Sequence, residues 1–241
     1  MPVTLAEARL CANRLLSRLS DEHYAPLCKK LERVHTSVKQ VLHERNNCIP
    51  YVYFPCNAAM SNIVGFEDGT VIEVGTVGNE GFSAPELLAR ASRATETSIC
   101  QIEGHSMRMS ARDYLHAIDG DTALRHVSER YLQGYLSQVS QTAACNRRHT
   151  LESRFARWLL LTHDRVQGRE FMLTQEFLAD MLGVNRPSVS LAAVAFQKDG
   201  LIRYRRGHMA ILDRAKLEVV SCECYACVNA QFRRVLDTPY G

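Results

Sequence analysis

The spacing of apolar positions changes along the chain, and each change marks a different kind of element. Over 5–32, Leu15, Leu16, Leu19, Leu27 and Leu31 recur at helical spacing, and Ser20 precedes Asp21 and Glu22 as an N-cap with acids in the first turn. From about 34 to 110 the texture becomes short apolar or β-branched runs, near Val34 and over 38–42, 51–54, 60–66, 71–77, 98–102 and 105–110. Glu67-Asp68-Gly69 joins two of these runs as a hairpin turn. Several short strands at this spacing predict a small β-sandwich or barrel. Residues 111–118 read as a short helix broken by Gly120, and Asp121 or Thr122 then caps a long helix to about 145. A further amphipathic helix over 150–167, ended by Gly168, turns Phe155, Trp158, Leu159 and Leu161 inward.

The long helix carries two apolar stripes. One runs Leu124, Val127, Tyr131, Tyr135, Gln138 and Thr142; the other runs Leu132, Leu136, Val139 and Ala143. One stripe can pack on its own β domain, and the other then needs a partner, for which a second copy of the helix is the simplest choice. The dimer interface is assigned to the first stripe.

The sharpest signal lies in 173–194. Thr174 caps a helix with Gln175 and Glu176 in its first turn, and Leu178 and Leu182 face its core. Ala179 is small where two helices approach, and Gly183 stands where a tight turn needs a positive φ. Asn185 caps a second helix whose first turn tolerates Pro187, with Val189 and Val194 inward. This is a helix-turn-helix, with Arg186, Pro187, Ser190 and Leu191 exposed at the start of the second helix and Ser188 beside them. Lys198-Asp199-Gly200 closes that helix. Two short strands, 201–204 and 209–212, then flank a basic tip, Arg205-Arg206-Gly207-His208, suited to phosphate contacts. The DNA-contacting set is Thr174, Gln175, Asn185, Arg186, Pro187, Ser188, Ser190, Leu191, Arg205 and Arg206.

Bulk properties agree with this local reading. The net charge of the 241 residues is only +3, so affinity for nucleic acid has to come from a local basic patch. No apolar run approaches a membrane span, and the first residues do not have the charged and apolar regions of a signal peptide. Nine cysteines without a scaffold rhythm point to a reducing cytoplasm and free thiols. There is no phosphate loop, nucleophile elbow or HExxH pair, and no enzyme is expected.

The β-rich first part, the long helix and the winged helix-turn-helix, in this order, resemble the Crp/Fnr family of bacterial transcription regulators. The resemblance is carried by 173–204, by Gln141-Thr-Ala-Ala-Cys-Asn, and by Val52-Tyr-Phe-Pro and Val74-Gly-Thr-Val-Gly-Asn-Glu-Gly. It implies an α+β chain with an N-terminal β-roll or jelly-roll sensor domain (1–120), a dimerisation helix and hinge (121–147) and a C-terminal winged helix-turn-helix domain (148–241). It implies a homodimer that reads a palindromic promoter site on double-stranded DNA and works with RNA polymerase. Many members carry an acid where Pro187 stands, so the half-site is expected to differ from the usual one.

The sensor is less legible. Members that bind cyclic nucleotides use a carboxylate for the ribose and an arginine for the phosphate; the matching candidates are Glu80, Glu86, Arg93 and Thr95, in a stretch where the Gly-Glu pattern is broken. Cys11, Cys28, Cys48 and Cys56 are too dispersed for the family's iron–sulfur site and read as free cysteines, and nothing singles out His35, His43 or His105 as a haem ligand. Cys222, Cys224 and Cys227 form the one tight cluster, a candidate metal or redox site. The effector and cofactor are unknown, with none as the expectation and a small molecule as the alternative. Two other readings stay open: a metal- or redox-sensing regulator, and a ligand-binding signalling protein that no longer binds DNA.

Overall fold

A computed structural model describes residues 3–166, 168 and 170–237. Two antiparallel sheets build the N-terminal domain. Strands β1 (Glu32–Thr36), β3 (Tyr51–Pro55) and β7 (Gly104–Ser110) form one in the order β1-β7-β3. Strands β2 (Val41–His43), β4 (Ala59–Gly65), β5 (Val71–Val77) and β6 (Thr97–Ile102) form the other in the order β2-β6-β4-β5. The hairpin at 67–69 closes where the sequence places it, with Gly69 at φ 83°. Buried Phe54, Phe82, Tyr114 and Tyr131 pack at tilted angles inside this roll, with centroids 5.0–6.3 Å apart.

Helices α1 (Leu5–Arg9) and α2 (Asp21–Cys28) cover one side. Ser20 stands at the N-cap of α2 without a side-chain cap bond. The structure corrects the expectation of free thiols here, because Cys11 and Cys56 form a disulfide. The turn after α1 folds back over the end of β3 and brings together two residues 45 positions apart.

Helix α3 (Ala111–Gly120) runs through Gly120, and Asp121 starts α4 (Thr122–Arg148) by accepting from the amides of Ala123 and Leu124. The two stripes of α4 are separated as expected, but with roles opposite to the assignment. Leu124, Val127, Tyr131, Tyr135, Gln138 and Thr142 are buried within the chain, so they cannot meet a second copy. They face the β domain: Tyr131 packs on Phe82, the Tyr135 hydroxyl accepts from Asn62, and Gln138 Oε1 accepts from the Thr76 hydroxyl. The C-terminal helix α9 (Cys224–Asp237) covers a neighbouring side of α4, running antiparallel from Cys224 beside Gln141 to Arg234 beside Arg130. Phe232 and Val235 fill the notch at Gly134, where an added Cβ would come within 2.8 Å of the Phe232 ring. The other stripe is left open. Leu136 is 56% exposed, Ala143 is exposed, and Leu132 and Val139 are half-buried.

The C-terminal domain begins with α5 (Leu151–His163), capped by Thr150 accepting from the Ser153 amide. Phe155, Trp158, Leu159 and Leu161 are buried as expected. The helix ends at His163 rather than near Gly168, because Arg165 turns inward toward the β domain; Gln167 lies outside the described residues. Then follow β8 (Glu170–Met172), α6 (Gln175–Leu182), α7 (Arg186–Lys198), β9 (Ile202–Arg205), β10 (His208–Ile211) and α8 (Arg214–Val220). Strand β8 is an addition to the expected two-stranded wing, which it widens to three strands in the order β8-β10-β9.

The two domains share one apolar core and a buried polar seam. Ala59, Ile63 and Ile102 of the second sheet pack with Phe155, Ala156, Leu159 and Leu160 of α5. Trp158 donates its indole N–H to Glu73 at 2.9 Å, Gln101 donates to Thr162 at 2.8 Å, and Arg157 donates to Thr142 of α4 at 2.8 Å. Arg165 donates to Glu80 through Nε and Nη2 at 2.9 and 2.8 Å, with side-chain exposures of only 5% and 6%.

Burial pushes the Glu73 carboxyl up from 4.5 to about 7, against the lowering effect of its hydrogen bond from Trp158. Its folded form therefore keeps a proton that the unfolded chain gives up, and stability falls as pH rises from about 4.5 through about 7. Glu73→Gln should remove that dependence. The stability difference between variant and wild type should grow by on the order of 1–3 kcal/mol across this window, read from urea midpoints at each pH.

Candidate nucleic-acid interface

The helix-turn-helix is set by local chemistry. Thr174 Oγ1 accepts from the Phe177 amide at 3.1 Å and starts α6. Gly183 at φ 62° ends it, where a β-carbon would be strained. Asn185 Oδ1 accepts from the Ser188 amide at 2.9 Å and starts α7. Leu178, Leu182 and Val189 are buried between the helices as expected. Val194 is not: it is 62% exposed, and Ala192, Ala193 and Phe196 face the core instead. Phe196 stacks on Phe155 of α5 at 5.2 Å, which fixes the rotation of α7 and turns Val194 outward.

That rotation presents the start of α7 to solvent. Arg186 and Pro187 are exposed, and Leu191 is 73% exposed on the same face. Ser190 is half-buried and donates to Gln175 at 2.8 Å, which fixes α6 against α7. Ser188 donates to the Asn185 cap at 2.7 Å, so its hydroxyl is already engaged in starting the helix.

The wing is tied to the same surface. Strands β9 and β10 turn through Arg206 and Gly207, both with positive φ, so the arginine beside Gly207 projects from a tight hairpin. Leu173 donates its amide to the Gly207 carbonyl at 2.7 Å, and the Tyr204 hydroxyl donates to the Leu173 carbonyl at 2.7 Å. A cleft of about 400 Å³ results, lined by Thr174, Gln175, Glu176, Arg186, Tyr204, Arg206 and Gly207. Four of the expected DNA-contacting residues thus meet at one cleft, while Arg205 stands exposed beside it. Sequence reasoning missed Tyr204, whose hydroxyl role depends on the wing folding back onto Leu173. The cleft opens amide-bearing helix starts and guanidinium groups to solvent, an arrangement that accepts phosphate oxygens.

The proposed effector residues form no single site, although Glu86 and Thr95 touch. The Glu80 carboxylate is committed to Arg165 and to the Gly78 amide, so it is unavailable to a ribose hydroxyl. Glu86 accepts from the Thr95 amide at 3.1 Å, and Arg93 donates to the Asn46 carbonyl at 2.6 Å on the exposed surface. The C-terminal cysteines are also redistributed. Cys227 is exposed, whereas Cys222 and Cys224 are buried beside Cys145 and His149.

Residues 153–220 match the Crp-like helix-turn-helix domain. The C-terminal domain is a Crp-like helix-turn-helix domain. Solved structures extend the likeness, as a fold, to most of the chain. A transcriptional regulator of the Crp/Fnr family from Eubacterium rectale is 18% identical, with 86% of this chain and 96% of that one covered and a TM-score of 0.63. FixK2 from Bradyrhizobium japonicum is 15% identical, covering 80% and 98%, with a TM-score of 0.66. A CRP-family transcriptional regulator from Thermus thermophilus is 21% identical, covering 78% and 96%, with a TM-score of 0.65. No curated protein matches the chain in sequence. The β-roll, long helix and winged domain of this chain therefore have the architecture expected from its sequence. No helix among its described residues is long and apolar enough to cross a membrane.

Proposed function

We propose that this protein is a cytoplasmic transcription regulator that binds a palindromic promoter site as a homodimer and works with RNA polymerase. The observation that carries the reading is the exposed, capped start of α7, with Arg186 and the Arg206 tip of the wing lining one open cleft. In the major groove, Arg186 would donate bidentately to a guanine, Ser190 and Leu191 would face neighbouring base edges, and Arg205 and Arg206 would hold phosphates.

The second copy would dock on the open stripe of α4, Leu132, Leu136, Val139 and Ala143, whose alternating four- and three-residue spacing matches a coiled-coil seam. The buried seam between β domain and winged domain would hold the two recognition helices in one relative pose. An effector, if one acts, would favour one pose over another. The ligand-binding reading without DNA binding is disfavoured by the intact cleft.

Leu136→Glu tests the dimer and the function together. It places a charge on an exposed position, so the protomer should fold normally. Sedimentation should show a monomer where the wild type is a dimer, and affinity for a two-half-site DNA should fall at least about tenfold, since each half-site is then bound alone. A Leu136→Glu protein that stays dimeric would overturn the seam assignment.

A further inference from the structure

We propose that Cys145, His149, Cys222 and Cys224 form a tetrahedral zinc(II) site at the base of the winged domain. Cys145 lies in the last turn of α4 and His149 is its C-cap, four residues on, so both point to one side of the helix end. Cys222 and Cys224 flank the bend between α8 and α9. The four ligand atoms all lie within 4.8 Å of one another. Cys145 Sγ is 3.5 Å from Cys222 Sγ, and Cys224 Sγ is 3.6 Å from His149 Nδ1. Zinc bonds of about 2.3 Å to sulfur and about 2.0–2.1 Å to nitrogen place tetrahedral ligands roughly 3.5–3.8 Å apart, so little movement is needed to close on an ion.

The surroundings fit a metal better than packing. The three sulfurs are buried as a small cluster of their own, apart from the two main cores. The Glu223 carboxylate lies 3.1 Å from His149 Nε2, which leaves Nδ1 turned toward the sulfurs. A carboxylate on the far ring nitrogen is the usual outer partner of a zinc-bound histidine. Gln141 Nε2 donates to Cys224 Sγ at 3.0 Å and holds that sulfur in place beside the other three groups. A Cys145–Cys222 disulfide would account for neither His149 nor Cys224. Three sulfurs and one nitrogen in this shape suit zinc among the common divalent ions.

The position gives the site a role. The chain leaves α4 at Cys145 and His149, traverses the whole winged domain, and returns at Cys222 and Cys224. One ion would thus close the base of the domain and fix the angle at which it leaves α4.

The test uses the full-length chain, reduced and stripped with a chelator, and titrated with cobalt(II). The expected result is one equivalent bound, with the intense visible absorption of tetrahedral cobalt and a thiolate charge-transfer band, both abolished by one equivalent of zinc. Cys227→Ser should leave the spectrum unchanged, and Cys145→Ser and Cys222→Ser should each weaken binding more than about tenfold. No tetrahedral spectrum in the wild type would overturn the proposal, and that measurement requires no variant to fold. So would loss of the spectrum in Cys227→Ser, or peptide mapping that finds a Cys145–Cys222 disulfide in the wild type under the titration conditions.

Discussion

Arg186→Glu should lower affinity for the specific DNA site on the order of 100-fold while leaving folding and dimerisation intact. Arg186 is exposed at the first position of α7 and lines the cleft beside Arg206. Losing a bidentate arginine–guanine contact costs about 1–3 kcal/mol, and a carboxylate facing phosphates adds repulsion to that loss. The effect should double as a change in specificity: discrimination at one base pair of each half-site should relax. Arg206→Ala, by contrast, should weaken binding to all sequences alike and reduce the salt slope by about one unit, as expected for a phosphate contact. Anisotropy titrations at several salt concentrations, on cognate and base-substituted duplexes, separate the two. Unchanged cognate affinity in Arg186→Glu would remove α7 as the recognition helix.

Arg165→Met should be the most damaging single change to stability. It preserves much of the apolar stem but leaves the Glu80 carboxylate, only 6% exposed, without its cation. Breaking a buried pair by removing one partner costs roughly 3–5 kcal/mol, mostly the penalty of the stranded charge. Because Glu80 belongs to the β domain and Arg165 follows α5, the loss should appear first as undocking of the two domains. Limited proteolysis should cut near 164–170 before the domains themselves unfold. The double variant Glu80→Gln with Arg165→Met should recover a large part of the loss, since no buried charge is then left alone. Equal stability of the single and double variants would show that the pair does not hold the seam.

The parts of this architecture that rest on short-range chemistry are legible in the amino-acid sequence. Thr174, Gly183 and Asn185 act on backbone atoms within three or four residues, so the helix-turn-helix and its exposed Arg186 can be read directly. The strands of the roll show in their spacing and in the turn at Gly69. The errors lie where a partner is far away in sequence. Both stripes of α4 are apolar, and the first is the covered one because Phe82, Asn62 and Thr76 of the β domain meet Tyr131, Tyr135 and Gln138. Val194 faces out because Phe196 is held by Phe155, which belongs to a different helix far earlier in the chain. Glu80 reads as a ligand group because Arg165, 85 residues on, cannot be placed beside it from spacing alone. Cys222 and Cys224 are visible as a pair, but Cys145 and His149 join them only after the winged domain has folded back on α4.

Sequence-specific binding by a dimer is tested most directly by selecting binding sites from a random pool of duplex DNA, using purified protein at near-physiological salt. A palindrome whose half-sites lie about one helical turn apart should be enriched, and Arg186→Glu should lose that enrichment. A pool with no enriched palindrome, showing only weak, salt-sensitive binding that Arg186→Glu leaves unchanged, would contradict sequence-specific binding by a dimer.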